Sequence, residues 1–222
     1  MEYNTILGGV QNVAAMLSSG DLSWHLARRM KFYFGSGRLC LDFARTVRAR
    51  RGTSVEGLQS PEDLDRWIDQ ADLPLKPRRQ AIKPGDLTAA HQLREAIYQV
   101  IEASRLKSQL SKSQVTLLNR YAAQPLPFPQ LLAATGQLSW SSPAPLDAVF
   151  ASLARDTLEL VGSEGVSRVR ECADPECTSL FFDTSRSANR RWCSAMPCAN
   201  RNKVRAYRSR KGAAATLPSE TM

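Results

Sequence analysis

The chain has 222 residues, enough for one large domain or for a domain and a small module, and its 43% hydrophobic and 23% charged residues are an ordinary globular mix. That mix excludes a collagen-like, low-complexity or wholly disordered chain, and no run approaches the eighteen apolar residues of a membrane-spanning helix. Net charge is +9, from 30 basic and 21 acidic residues, which favours a polyanionic partner.

Residues 1–29 are weakly amphipathic and read as an N-terminal extension outside the native fold. Glu2, Gln11 and Asn12 do not fit the basic region and unbroken apolar run of a secretory signal, so the expected compartment is the cytoplasm. Patterned sequence opens at Met30, which is read either as the native start or as the end of a loosely packed lead. Leu39, Leu41 and Phe43 alternate like a strand, while Leu39, Phe43 and Val47 fit a helix, and periodicity leaves both readings open. Ser60 is an N-cap followed by Pro61, with Leu64, Trp67, Ile68 and Ala71 on one face. Asp86 caps a long helix whose Leu87, Ala90, Leu93, Ile97, Val100 and Ile101 repeat at three and four. Ser111 and Gln114 have capping-box spacing ahead of Val115, Leu118 and Tyr121. Prolines 125, 127 and 129 form a rigid connection, and residues 131–140 read as a hairpin turning near Thr135–Gly136. Pro143 starts a helix with Leu146, Val149, Phe150, Leu153, Leu158 and Val161 inward, ended by Gly162 and Gly165. Residues 30–162 therefore form a mainly helical domain with a core of its own.

The charge is concentrated beyond this domain: Val166–Gly212 holds eleven Lys/Arg against four Asp/Glu. Cys172 and Cys177 enclose four residues, fifteen more lead to Cys193, and four more lead to Cys198. Two close pairs at this separation supply four thiolates to one tetrahedral zinc, and the set has no vacancy for a substrate water, so the metal is structural. Disulfides are disfavoured in the expected compartment. Cys40, alone in an apolar stretch, is expected to be a small core residue. Leu180, Phe181, Phe182 and Trp192 supply a core too small to hold without the ion. From Ala199 through Lys211 the chain reads helical, with Arg201, Arg205 and Arg208 along one stripe and Val204 and Tyr207 on the adjacent face, expected to dock on the module. Residues 213–222 read as a flexible tail.

The stretch Cys172, Cys177, Phe182–Asp183–Thr184–Ser185, Arg190–Arg191–Trp192–Cys193–Ser194 and Cys198–Ala199–Asn200–Arg201 resembles the CGNR zinc finger. Upstream, Gly37–Arg38–Leu39–Cys40–Leu41–Asp42–Phe43 with Thr46, and Pro61–Glu62–Asp63–Leu64 with Trp67, resemble the ABATE domain that precedes this finger. Together the likeness covers about residues 32–211. It implies an α+β fold: a mainly helical N-terminal domain with a few short strands, then a treble-clef-like zinc finger over residues 166–212. It also implies the function of a stress-associated bacterial transcription regulator. Two positions depart from the family: Ala199 stands where it has glycine, and Arg45 where it usually has asparagine.

The expected function is zinc-dependent binding of double-stranded DNA through Arg190, Arg191, Arg201, Lys203, Arg205 and Arg208, with the helical domain sensing a small molecule or protein. The alternative is an RNA- or protein-binding zinc module without a DNA operator. An enzyme has little support. His25 and His91 are the only histidines, and Asp42 with Arg45, or Asp63 with Asp65, read better as capping and surface groups than as acid–base pairs.

Overall fold

The computed structural model describes residues 32–71, 73 and 81–215. The reading of residues 1–29 as an extension, and of Met30 as a start, lies outside them. The open choice at Leu39–Ala44 resolves as helix α1. Asp42 explains where this helix begins: its carboxylate accepts from the backbone N–H groups of Gly35 (3.0 Å) and Ser36 (2.8 Å), folding the preceding loop back onto the first turn. Strands β1 (Val47–Arg48) and β2 (Val55–Glu56) then pair antiparallel.

Helix α2 (Pro61–Gln70) starts as the sequence predicts. The Ser60 hydroxyl accepts from the Asp63 N–H, and the Asp63 carboxylate accepts from Ser60 N–H, closing a capping box. Helix α3 (Pro84–Arg105) begins two residues before Asp86, which acts from inside the first turn by accepting from Lys83 N–H at 2.8 Å. Helix α4 (Lys112–Ala122) lacks the box expected from Ser111 and Gln114: the Ser111 hydroxyl meets Ser113, and the Gln114 amide bonds Gln99 on α3. A long polar side chain with a partner on a neighbouring helix has no reason to fold back on its own terminus. Strands β3 (Phe128–Leu131) and β4 (Leu138–Ser141) form the expected hairpin, with Gly136 at φ +65° in its turn. Helix α5 (Pro145–Val161) starts two residues later than the Pro143 reading, because Pro145 takes the first helical position.

Helix α3 is the hub. It packs on α1, α2, α4 and α5, and α1 also packs on α5. Between them Leu41, Phe43, Leu64, Trp67, Leu93, Ile97, Ile101, Leu118 and Leu153 are fully buried, each contributing about 1.5–3 kcal/mol. Phe43 meets Trp67 edge-on at 4.8 Å. Cys40 is wholly buried, as expected for a core residue, and its burial pushes the thiol pKa well up. Two of the residues that carry the ABATE likeness make tertiary joints: Thr46 donates to Phe43 O at the end of α1 and accepts from the buried Arg94, while Arg38 pairs with Asp156 at 2.7 Å. A short 3-10 turn, Glu164–Arg168, leads into the C-terminal module.

Candidate metal centre and basic helix

The module begins with an antiparallel hairpin, β5 (Val169–Glu171) and β6 (Leu180–Phe182). Cys172 follows β5 directly and Cys177 lies in the loop before β6, so the hairpin tip is a knuckle carrying the first cysteine pair. Asp174 shapes it: its carbonyl accepts from the N–H of Cys177 (2.8 Å) and Thr178 (3.1 Å). Ala173 N–H donates to Arg191 O at 2.8 Å and draws in the second pair. Asp183, fully buried, accepts from the Ser185 N–H and hydroxyl and from Arg190 N–H, which holds the loop leading to Cys193. A wide turn, Ala195–Ala199, then places Cys198 at the foot of helix α6 (Asn200–Ala215). That helix runs three residues into the segment read as a tail. Ala199 is not among the described non-glycine residues of positive φ, so its place in this turn does not require glycine.

The four sulfurs lie within 4.8 Å of one another, with Cys193 Sγ at 3.7 Å from Cys177 Sγ and 3.6 Å from Cys198 Sγ. Zn–S bonds of about 2.3 Å in a tetrahedron put sulfurs about 3.8 Å apart, so the donor set fits zinc. All four side chains are buried around Phe181, with Trp192 packed alongside. Crowding makes the thiols unequal: hydrogen bonding with Cys172 holds Cys177 well below the usual thiol range and Cys193 at about 7, while Cys172 and Cys198 are pushed up by bonds to their neighbours.

Four thiolates around Zn²⁺ carry a formal charge of −2, and two guanidinium groups stand against them. Arg201 Nη2 is 3.9 Å from Cys198 Sγ. The other is Arg45, from the loop after α1, with Nη2 at 3.9 Å from Cys177 Sγ. The position where this chain departs from the family's asparagine thus brings a buried cation from the helical region to the metal centre. The sequence reads Arg45 as a capping or surface group; it is instead buried, a placement that local pattern cannot reveal because 132 residues separate it from the sulfur. The same face carries further joints. Phe182 N–H donates to Ser36 O (2.7 Å), Ala49 N–H to Cys177 O (3.1 Å), and Arg51 and Arg105 pair with Glu171. Gly37, at φ +87°, is needed here: a Cβ would lie 3.1 Å from Phe182 Cβ and 3.2 Å from its carbonyl oxygen.

Three of the expected nucleic-acid contacts, Arg190, Arg201 and Arg205, have partners within the finger. Arg201 makes a double contact on the buried Asp174 carboxylate, Nε at 2.8 Å and Nη2 at 2.7 Å, and reaches Glu176 at 2.8 Å. Arg205 pairs with Glu176 at 2.6 Å. Arg190 donates to Cys193 O and covers the Phe181 ring. These three hold the finger together. Arg201 and Arg205 anchor one side of α6 to the knuckle, so the side about 180° away carries Lys203, with Tyr207 and Arg210 beside it. Val204 (49% exposed) and Tyr207 (61%) do not dock on the finger as expected, because the acids of the knuckle capture the arginine side instead. Arg191 and Arg208 are exposed; among the described residues, Lys203, Arg208 and Lys211 make no ion pair.

The candidate acid–base groups are likewise occupied: Asp42 by the loop N–H groups, Asp63 by the capping box and Arg66. No described helix is long and apolar enough to cross a membrane.

Comparison with known families agrees with this architecture. No curated protein matches the chain. The CGNR zinc finger model matches residues 168–211, and with the four-cysteine cluster it establishes a small finger that takes one structural zinc. The ABATE model, described as "Putative stress-induced transcription regulator", matches residues 37–164, which is more than half of the sequence. The chain belongs to the ABATE family, with a CGNR zinc finger following the ABATE domain.

Proposed function

We propose that this protein is a cytoplasmic, bacterial, zinc-dependent regulator that binds double-stranded DNA through helix α6. Cys172, Cys177, Cys193 and Cys198 are the four zinc ligands. The ABATE domain, residues 30–162, has the sensing or interaction role; its surface groove along His91, Glu95, Ser113 and Gln114 is open to solvent and can admit an effector. The matched families are regulatory and zinc-finger domains, neither of them enzymatic in description.

One observation carries the reading. Helix α6 has six Lys/Arg and no acid between Asn200 and Lys211, is exposed from Lys203 to Lys211, and among the described residues is tied to the knuckle by the ion pairs of Arg201 and Arg205. A cation-coated helix with an exposed flank fits a major groove and its flanking phosphates. The side turned away from the knuckle is the one free to enter. Lys203, Tyr207 and Arg210 face the bases and the nearer phosphates, and Arg191 and Lys211 reach phosphates at the margins; Arg208 lies on the knuckle side of the helix, beyond Arg205. Arg190, Arg201 and Arg205 support the finger.

Selection of duplexes from a random-sequence library by the zinc-loaded protein tests this, with single-stranded RNA as competitor. Enrichment of one short motif, lost in Cys193→Ser together with the zinc, is the expected result. Retention of duplex without enrichment, or preferential capture of the RNA, favours a module without an operator.

A further inference from the structure

In the Cys198–Ala199–Asn200–Arg201 stretch, Cys198 offers its sulfur to the metal and Arg201 braces Asp174. Asn200 turns its amide outward instead. It is exposed, and its Nδ2 donates to the thioether of Met196 at 2.9 Å, itself an exposed side chain. A thioether is a weak acceptor. Helix capping does not account for the residue either: its own backbone is already helical (φ −63°, ψ −45°), and its side chain bonds Met196 and not a backbone N–H. Asn202 shows the contrast. It is half-buried, its Nδ2 donates to Cys198 O at 3.0 Å, and its Oδ1 accepts from Arg205. One asparagine of the pair secures the foot of α6, and the other has no such work.

Helical geometry places Asn200 with the free side. At about 100° per residue it lies about 20° from Tyr207 and about 60° from Lys203, but about 100° from Arg201 and about 140° from Arg205. It therefore belongs to the side turned away from the knuckle, in the first turn of α6. In a helix lying in the major groove, the residues near its N-terminus are the ones that ordinarily touch base edges.

The chemistry of the side chain selects its target. A neutral amide adds little on a phosphate beside six cations, whereas it matches one base edge closely. Adenine presents an N7 acceptor beside an N6 amino donor in the major groove, and an asparagine amide meets both at once. Reaching them costs Asn200 only its bond to the Met196 sulfur. We propose that Asn200 is a specificity-determining residue that reads one adenine in the major groove, its Nδ2 donating to N7 and its Oδ1 accepting from the N6 amino group. This role rests on the reading of α6 as a helix that enters duplex DNA, and it names a base that the helix meets there.

The zinc-loaded full chain and Asn200→Ala each select duplexes from a random-sequence library. Affinities for the wild-type motif are then measured with each adenine replaced in turn, by another base and by 7-deazaadenine, which lacks the N7 acceptor. For the wild type, one adenine should be costly to replace by another base, by about 5- to 150-fold, and 7-deazaadenine at that position should also weaken binding. Asn200→Ala should lose both effects at that pair alone. Its zinc content and its slope of log affinity against log salt should match the wild type, because no phosphate contact is removed. The 7-deazaadenine arm uses the unaltered chain, so it decides the matter even if the substitution disturbs the finger. A wild type indifferent to 7-deazaadenine at every adenine of its motif overturns the proposal. So does Asn200→Ala with the same adenine preference as the wild type. In both cases duplex binding by α6 still stands. A wild type that enriches no motif removes the operator itself, and the role of Asn200 with it.

Discussion

Arg45 is the residue that ties the two parts of this protein together chemically. Buried to 9% exposure and set against Cys177 Sγ, it supplies positive charge to a centre that carries formal −2 once zinc is bound. Charges and hydrogen bonds around metal ligands typically tune affinity by about 10–100-fold. Arg45→Ala is therefore expected to release zinc to a chelator at about ten- to a hundredfold lower chelator activity than the wild type. Arg45→Lys should recover part of the loss, since an ammonium keeps the charge without the planar fork. Zinc retention equal to that of the wild type in Arg45→Ala would show that the guanidinium is only packed there. Asp174 acts from the opposite side: it fixes Arg201 against Cys198, so the first residue of the expected DNA-contacting stripe is a brace for the metal.

Helix α6 and the β1–β2 ribbon show what could be read from the sequence and what could not. Local signals were readable. Ser60, Pro61 and Asp63 make a helix start by their own chemistry, and the apolar repeat of α3 reports its buried face. The cysteine spacing reports a four-sulfur site because a knuckle is a short-range structure. Helical periodicity also placed Arg201, Arg205 and Arg208 on one side of α6 correctly. It could not say which side faces the knuckle, since Asp174 and Glu176 lie 25 or more residues away and the choice is made by tertiary ion pairing. The roles of Arg45 and Arg94 were hidden for the same reason. Arg94 on α3 is 3% exposed and donates to both oxygens of Glu56 on β2, at 2.7 and 2.6 Å, which pins the ribbon to the helical core. Burial pushes the Glu56 carboxyl pKa up, but the bonds from Arg94 and from Leu58 N–H outweigh it and leave the carboxyl lowered. A carboxyl lowered on folding gives its full stabilisation above the ordinary value of 4.5 and loses it as pH falls through the lowered value. The melting temperature should therefore decline below about pH 4.5, with Glu56 among the causes. Glu56→Gln should be less stable at pH 7 by about 1–3 kcal/mol, for it leaves Arg94 buried with a poorer partner, and its acid decline should be shallower. Parallel melting curves against pH for the two proteins would exclude this role.

The finger and the ABATE domain share a continuous face along Ser36–Gly37, Arg45, Ala49 and Arg51, yet their cores are separate. Trp67, Leu93, Ile97, Ile101 and Leu153 belong to the helical region, and Phe181 with the four cysteines to the finger. Only the second core depends on an ion. Chelation should therefore remove the far-ultraviolet signal of the finger and α6 while most helical signal persists, and hydrogen exchange should quicken around Ser36–Arg51. Loss of all helical signal in one transition would show that the two cores fold as one. At the scale of the complex, the proposed role of the zinc-clamped helix is to meet DNA with the side turned away from its own acids. Titration of a labelled duplex at several salt concentrations tests it most directly, comparing wild type, Lys203→Ala/Arg210→Ala and Arg201→Ala with metal content measured in each. If about three to five phosphates are neutralised, log affinity should fall against log salt with a slope of about −3 to −5. Lys203→Ala/Arg210→Ala should flatten that slope by about two with zinc retained, whereas Arg201→Ala should weaken zinc binding first. Equal affinities and equal slopes for the wild type and Lys203→Ala/Arg210→Ala would show that this side of α6 does not meet DNA.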